Sequence, residues 1–134
     1  MNRLEPIGAP RGMARILVVD DDAFLGNAIR RIFRGVYEIE LTNSSTQALA
    51  LFQSGARFDA ILCDVRMPQR NGRELYEELS RSLPDQAARI IFMTGALLTD
   101  WVPEFLRGVP NPHLEKPFEP EALERLLAER LGRA

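Results

Sequence analysis

The chain is poor in cysteine, histidine and tryptophan, and it lacks long apolar runs. Its 134 residues include one cysteine, Cys63, one histidine, His113, and one tryptophan, Trp101. A single cysteine cannot form a disulfide within the chain, so we expect a reducing compartment and a cytoplasmic location. No apolar run reaches the roughly 18 residues of a membrane span, and the N-terminus lacks the apolar stretch of a signal peptide. We therefore expect no membrane insertion by this chain.

The charge is nearly balanced, with 17 basic and 19 acidic residues and a net charge of -2. This balance lacks the basic excess of a nucleic-acid-binding domain, so we expect no direct nucleic-acid binding. Hydrophobic residues make up 46% of the chain and provide the material for one core. The length leaves no room for a second domain of comparable size in this sequence. Residues 1–14 mix proline, glycine and charge without a period, which predicts a flexible tail or linker before a domain at 15–132.

From Arg15 onward, short apolar runs alternate with segments of helical period. This alternation predicts an α/β fold in which a doubly wound, five-stranded parallel sheet is covered by helices on both faces. The predicted strands lie at 16–19, 37–41, 60–63, 90–93 and 113–115, and the last helix runs from about Pro120 to Leu131. In the first helix, the predicted buried stripe consists of Leu25, Ala28, Ile29, Ile32 and Phe33.

Polar residues that can bind a ligand or take part in a reaction follow four of these strands. They are Asp20 and Asp21, Asp64, Thr94, and Lys116. In such a sheet, ligands bind at the carboxyl ends of the strands. Three carboxylates brought together there require a cation, and hard oxygen ligands in an incomplete cage favour Mg²⁺. Asp64 is the candidate nucleophile for a phosphoryl group, with Lys116 and Thr94 binding the phosphoryl oxygens.

Four motifs occur in order at these strand ends: VVDDD at 18–22, LCDVRMP at 62–68, FMTGA at 92–96 and LEKPF at 114–118. Together they resemble the response-regulator receiver domain of two-component signalling, the CheY-like family, over about residues 15 to 131. The resemblance implies a flavodoxin-like sheet with strand order 2-1-3-4-5 and five helices. It also implies a cis peptide bond between Lys116 and Pro117.

The resemblance further implies a role for each residue of the site. Asp64 is the phospho-acceptor, and Asp20, Asp21, Asp64 and the backbone carbonyl of Arg66 bind Mg²⁺, for which Mn²⁺ can substitute. The phosphoryl donor is a phosphohistidine of a histidine kinase or of a histidine phosphotransfer protein. Thr94 and the side chain at position 113 then move as a two-state switch. A downstream protein binds the face formed by the Trp101 helix, the last strand and the last helix, and a homodimer is left open.

Four residues in or near these motifs have a plainer interpretation beside a functional one. We interpret Asp22 as a helix N-cap rather than a metal ligand, and Cys63 as a core residue rather than a redox sensor. His113 stands where the family usually has Tyr or Phe, so it is either a switch side chain, with sensitivity to pH, or an ordinary polar residue at a strand end. Arg66 either shields the aspartyl phosphate or is a solvated arginine.

Three other functions are alternatives to phospho-acceptance. A haloacid-dehalogenase-like phosphatase needs a general acid two residues after the nucleophile, where this chain has Arg66. A nucleotide-binding domain needs a glycine-rich turn after the first strand, where this chain has aspartates. A docking-only receiver that is never phosphorylated is the third alternative. We expect a regulatory domain, not an enzyme with turnover, and the sequence leaves open a free-standing receiver or the receiver of a hybrid sensor histidine kinase.

Overall fold

The computed structural model describes residues 12–67, 71–95 and 100–132. Most of the predicted tail, together with Pro68 of the second motif and Ala96 of the third, therefore lies outside the described residues. The elements, in chain order, are β1 Arg15–Val19, α1 Ala23–Ile32, β2 Glu38–Thr42, α2 Ser45–Gln53, β3 Ala60–Asp64, α3 Gly72–Ser82, α4 Pro84–Ala87, β4 Ile90–Thr94, α5 Val102–Arg107, β5 His113–Glu115 and α6 Pro120–Arg130.

The strands form one five-stranded sheet in the order β2-β1-β3-β4-β5. Every neighbouring pair is parallel, so all five strands have their carboxyl ends at the same edge of the sheet. The predicted doubly wound sheet and its strand order are thus confirmed. β2 lies on one side of β1, whereas β3, β4 and β5 follow on the other side. The order of the strands therefore reverses between β1 and β3, whose carboxyl ends lie side by side.

Helices cover both faces of the sheet, and each face has its own hydrophobic core. Alternate residues of the central strands belong to opposite cores: Leu17 and Val19 pack with α2, α3 and α5, whereas Ile16 and Val18 pack with α1 and α6. The central strands β3 and β4 are buried at every residue. Burial on both faces explains why these strands appear in the sequence as continuous apolar runs rather than as alternating ones.

Local signals set the ends of several helices, and the predicted N-cap at Asp22 is confirmed. The Asp22 carboxylate accepts hydrogen bonds from the backbone N–H groups of Phe24 and Leu25, so Asp22 is the N-cap of α1. Just after α2, Gly55 has a φ of 104°, a left-handed conformation that glycine adopts without strain. Pro120 lies in the first turn of α6, where its missing N–H is not needed.

Three sequence predictions differ from the structure. The described part of the chain has six helices rather than five, because Pro84–Ala87 forms the short helix α4, which is too brief to show a helical period. Ile32 does not belong to the buried stripe of α1, since it is 46% exposed in the last turn of that helix. The second strand begins at Glu38, because Tyr37 leaves the strand and packs against Phe33. None of the helices in the described ranges has the length and apolar character needed to cross a bilayer.

Candidate functional site

The carboxyl edge of the sheet brings together the residues that follow β1, β3, β4 and β5. Asp20 comes directly after β1, Asp64 is the last residue of β3, Thr94 is the last residue of β4, and Lys116 comes directly after β5. These four strands are consecutive neighbours in the sheet. The strand order therefore converts four positions that are far apart in the sequence into one site.

Asp20, Asp21 and Asp64 form the acidic part of the site. Each offers one carboxylate oxygen, and these three oxygens lie within 4.8 Å of one another. Asp20 and Asp64 are buried, whereas Asp21 is exposed. Hard carboxylate oxygens with one exposed side suit a Mg²⁺ ion that retains some of its waters, so the donor set fits the predicted metal.

Lys116 supplies the positive charge of the site. Its Nζ donates a hydrogen bond to Asp20 Oδ2 at 2.8 Å and another to Asp64 Oδ2 at 3.1 Å. Burial on its own lowers the pKa of Lys116, but the hydrogen bond to Asp20 and the charges of both aspartates outweigh it, so the pKa is raised. Lys116 is therefore a firmly charged ammonium group that bridges two aspartates.

Backbone N–H groups hold the other oxygen of each buried aspartate. The N–H of Asp22 donates to Asp20 Oδ1 at 2.9 Å, and the N–H of Arg66 donates to Asp64 Oδ1 at 3.1 Å. In both cases the donor lies two residues after the aspartate. These bonds fix the orientation of both carboxylates, so that each presents one oxygen to Lys116.

The pKa of Asp64 is raised to about 6, primarily because the carboxyl group is buried and secondarily because Asp20 is nearby. Lys116 and the Arg66 N–H act in the opposite direction, since both stabilise the carboxylate. A raised pKa indicates that the negative charge at this position is only partly compensated by the protein. Such a carboxylate gains stability when a further cation binds beside it.

Thr94 and Lys116 are joined through the backbone at the ends of β4 and β5. The Lys116 N–H donates to Thr94 O at 2.6 Å, and the Lys116–Pro117 peptide bond is cis, as the resemblance implies. Thr94 is 2% exposed, and its hydroxyl donates a long hydrogen bond of 3.5 Å to Leu114 O. The structure thus places Thr94 at the edge of the site with its hydroxyl engaged by β5.

His113 lies at the start of β5, two residues before the end of the strand, and its side chain is exposed. It pairs in register with Phe92 of β4, whereas Thr94 pairs with Glu115. His113 is therefore not part of the acidic cluster, and its proposed switching role stays a prediction. Cys63 is buried in the core, where desolvation raises the pKa of its thiol, in agreement with a structural rather than a redox role.

Sequence reasoning missed two contributions to the site. Gly72 is the first residue of α3, and a Cβ there would lie 2.5 Å from Asp64 O. Asp100 forms an ion pair with Arg66, a contact between residues 34 positions apart that no sequence pattern indicates. The sequence shows the glycine but not the close contact that requires it, and it gives no signal of the ion pair.

The fold and the site together define a class of protein. A doubly wound sheet of order 2-1-3-4-5 carries three aspartates and one lysine at its carboxyl edge, where sheets of this kind bind their ligands. The family model described as the response regulator receiver domain matches residues 16–128 of this chain. The chain belongs to the response-regulator receiver domain family of two-component systems.

Similar proteins agree with this assignment. The response regulator MprA of Mycolicibacterium vanbaalenii is 38% identical over 116 residues, which are 85% of this chain and 47% of that protein. The transcriptional regulatory protein ZraR of Klebsiella oxytoca is 32% identical over 118 residues, or 87% of this chain and 26% of that protein. The chain thus spans less than half the length of these two relatives.

Solved structures show the same fold. The Vibrio cholerae chemotaxis protein CheY4 superposes with a TM-score of 0.76 at 28% identity, covering 90% of this chain and 100% of that one. A receiver domain protein from Clostridium thermocellum superposes with a TM-score of 0.77 at 24% identity, covering 90% and 96%. The flavodoxin-like, CheY-like fold is therefore confirmed.

Proposed function

We propose that this receiver domain accepts a phosphoryl group on Asp64 and that the modified domain then binds a downstream protein. The observation that carries the proposal is the position of Asp64: its carboxylate contacts Lys116 at 3.1 Å and lies within 4.8 Å of the oxygens of Asp20 and Asp21. Phosphoryl transfer depends on charge neutralisation and positioning more than on acid and base chemistry. This arrangement offers both.

In the proposed transfer, an Asp64 carboxylate oxygen attacks the phosphorus of a phosphohistidine on a histidine kinase or a histidine phosphotransfer protein. An O–P bond forms, the N–P bond breaks, and the imidazole of the partner leaves with the electron pair. Lys116 binds one phosphoryl oxygen as a charged donor, and the Thr94 hydroxyl leaves Leu114 O to bind another. Asp64 is only 8% exposed, which keeps the reaction away from bulk water.

Asp20, Asp21, Asp64 and the backbone carbonyl of Arg66 are the proposed ligands of Mg²⁺, with Mn²⁺ as a substitute. The ion supplies positive charge against the three aspartates and the phosphoryl oxygens. Asp20 and Asp64 reach this role already oriented by backbone N–H groups. Asp21 already offers an oxygen within 4.8 Å of theirs, on the exposed side of the site.

The proposed output surface consists of α5, β5 and α6, with Thr94 and His113 as the side chains that change between two states. The Thr94 hydroxyl donates a hydrogen bond to Leu114 O of β5, so movement of this hydroxyl toward Asp64 breaks a contact with that strand. The histidine is already exposed on the same strand, with the buried Phe92 as its register partner. A downstream protein that prefers one of these states shifts the equilibrium by its differential affinity.

Intact-mass measurement after incubation with Mg²⁺ and a small phosphodonor such as acetyl phosphate tests the proposal. We expect one added phosphoryl group in the wild type and none in Asp64→Asn, because the amide cannot act as the nucleophile. Asp85→Asn is the matched control, since Asp85 is an exposed aspartate on the short helix α4. An unlabelled wild type that still binds its partner protein would favour the docking-only alternative. Equal labelling of wild type and Asp64→Asn would contradict the assignment of the acceptor.

The phosphatase alternative makes a different prediction. It requires a proton donor two residues after Asp64, and this position is occupied by Arg66, whose guanidinium stays charged and is a poor proton donor at neutral pH. Sustained release of phosphate from small phosphate esters is therefore not expected.

A further inference from the structure

An ion pair connects the two loops that border the phosphorylation site. Arg66, in the loop after β3, donates from its guanidinium to Asp100 Oδ2 at 2.7 Å. Asp100 comes two residues before α5, the first helix of the proposed output surface. Both side chains are about half exposed or more, with 49% for Arg66 and 67% for Asp100. The pair therefore spans from the acceptor loop to the start of α5 without being locked in the core.

Trp101 holds the same guanidinium from a second side. The Arg66 Cζ lies 5.9 Å from the centre of the Trp101 ring, within the range of a cation–π contact. Trp101 is the N-cap residue of α5, and its ring packs edge-on against Phe105 of that helix at 5.9 Å. Asp100 and Trp101 are consecutive in the sequence, so the guanidinium contacts two adjacent residues at the beginning of α5.

The backbone N–H of Arg66 is hydrogen-bonded to Asp64, the proposed phospho-acceptor. Its N–H donates to Asp64 Oδ1 at 3.1 Å, so the arginine side chain starts beside the carboxylate that is to be modified. The aspartyl phosphate carries close to two negative charges, about one more than the carboxylate that it replaces, and presents three acceptor oxygens. A guanidinium can bond carboxylate and phosphate oxygens alike with two parallel hydrogen bonds. The phosphoryl group is the stronger partner because it carries more negative charge than the exposed Asp100 carboxylate.

We propose that Asp100 is a positioning residue that competes with the phosphoryl group for Arg66. In the unmodified domain, Asp100 and Trp101 hold the guanidinium at the start of α5. When Asp64 is phosphorylated, Arg66 exchanges Asp100 for the phosphoryl oxygens, and the start of α5 loses both contacts with the acceptor loop. Phosphorylation thereby changes the contacts at the start of α5, and this change does not depend on Thr94 or β5. This inference rests on the proposed function of Asp64.

A double-mutant cycle on the affinity for beryllofluoride, a phosphoryl mimic, tests the exchange. The affinity in the presence of Mg²⁺ is measured by fluorine NMR for the wild type, Asp100→Asn, Arg66→Gln and the double variant. Asparagine is the suitable replacement because Asp100 has a φ of 60°, and asparagine tolerates this left-handed conformation. The change also removes one charge while keeping the shape of the side chain.

We expect Asp100→Asn to raise the affinity about twofold to fivefold, the range that corresponds to the loss of one exposed ion pair. In the Arg66→Gln background, the same change is expected to leave the affinity nearly unaltered, because no guanidinium remains to be released. Glu78→Gln is the matched control: it breaks the exposed 2.7 Å ion pair with Arg81 on α3 and is expected to leave the affinity unchanged. Salt weakens exposed pairs, so the effect of Asp100→Asn is expected to shrink at high ionic strength.

The possible results separate cleanly. An equal rise in both backgrounds would contradict the exchange, since it would show that Asp100 acts only through its long-range charge. No rise in either background would contradict it as well. Trp101 emission gives a second measurement: the mimic is expected to change the emission in the wild type and to change it less in Arg66→Gln. A wild type that does not bind the mimic at all would instead contradict the proposed function.

Discussion

Gly72 allows α3 to begin directly against Asp64, the proposed phospho-acceptor, and replacing it with alanine is expected to disturb that contact. A Cβ at this position would lie 2.5 Å from Asp64 O, 3.0 Å from Val65 Cα and 3.1 Å from Cys63 Sγ. The first two contacts are with backbone, which cannot rotate away. The Gly72 N–H also donates to Val65 O at 2.8 Å, so α3 and the end of β3 cannot separate without losing this bond.

The size of the effect follows from two opposing contributions. Alanine favours a helix over glycine by roughly 0.5 to 1 kcal/mol. Forcing an extra carbon into a tightly packed region lowers the free energy of unfolding by about 1 to 3 kcal/mol. Because the clash at Gly72 involves backbone atoms, we expect the second contribution to dominate and Gly72→Ala to be destabilising by about 1 to 2 kcal/mol.

Gly26 provides a matched control in α1. It is buried in a helix like Gly72, but a Cβ there would meet only the flexible Leu41 side chain, at 3.2 Å. Gly26→Ala is therefore expected to leave the free energy of unfolding within about 1 kcal/mol of the wild type.

Urea unfolding followed by circular dichroism measures both variants. A lower midpoint with an unchanged slope is expected for Gly72→Ala, because the change acts on stability and not on the surface exposed by unfolding. The rate of labelling by a small phosphodonor should fall as well, since the carbonyl that shifts belongs to Asp64. If Gly72→Ala were as stable as Gly26→Ala and labelled at the wild-type rate, the reasoning from this close contact would be refuted.

Three further predictions concern the charges of the site. The raised pKa of Asp64 gives the folded wild type stability that is lost as the pH rises through about 6. In metal-free buffer, Asp64→Asn should therefore raise the free energy of unfolding more at about pH 7 than at about pH 4.5, and the two increases should differ by at most about 3 kcal/mol. An equal increase at both pH values would contradict this. Lys116→Gln should lower the free energy of unfolding by about 2 to 3 kcal/mol, since it leaves two buried aspartates without their cation, and Mg²⁺ should restore part of the loss in thermal unfolding. Mg²⁺ at a hundred times its Kd should stabilise the wild type by about 2.7 kcal/mol in the same assay, and this gain should be reduced in Asp21→Asn but kept in Asp85→Asn.

The sequence was sufficient to predict most of the fold because the sheet is buried on both faces. Continuous apolar runs such as Ile90–Met93 indicate buried parallel strands, and an acidic or polar residue directly after a run marks the strand end. The short helix α4 could not be predicted in this way, since four residues are too few to show a period. The prediction for Ile32 is wrong for a different reason: the helical period is correct, but Ile32 is the last residue of α1, where its side chain is 46% exposed.

The site was predictable to the extent that it follows from topology. Parallel strands share one carboxyl edge, so Asp20, Asp64 and Lys116 had to lie near one another once the strands were identified. The pairing of Lys116 with both aspartates, and the backbone bond from Arg66 to Asp64, depend on atomic geometry that no spacing encodes. The contact between Arg66 and Asp100 joins two loops, and loop positions have no period from which a partner could be inferred.

Chemical mapping of the modified residue tests the central claim most directly. The wild type is incubated with acetyl phosphate and Mg²⁺, and borohydride then reduces the acyl phosphate to an alcohol, which converts the modified aspartate to homoserine. Peptide mass spectrometry is expected to find homoserine at position 64 and aspartate at positions 20 and 21, with no conversion when Mg²⁺ is withheld. Homoserine at another aspartate, or an unmodified position 64 in protein that carries a phosphoryl group, would contradict the account.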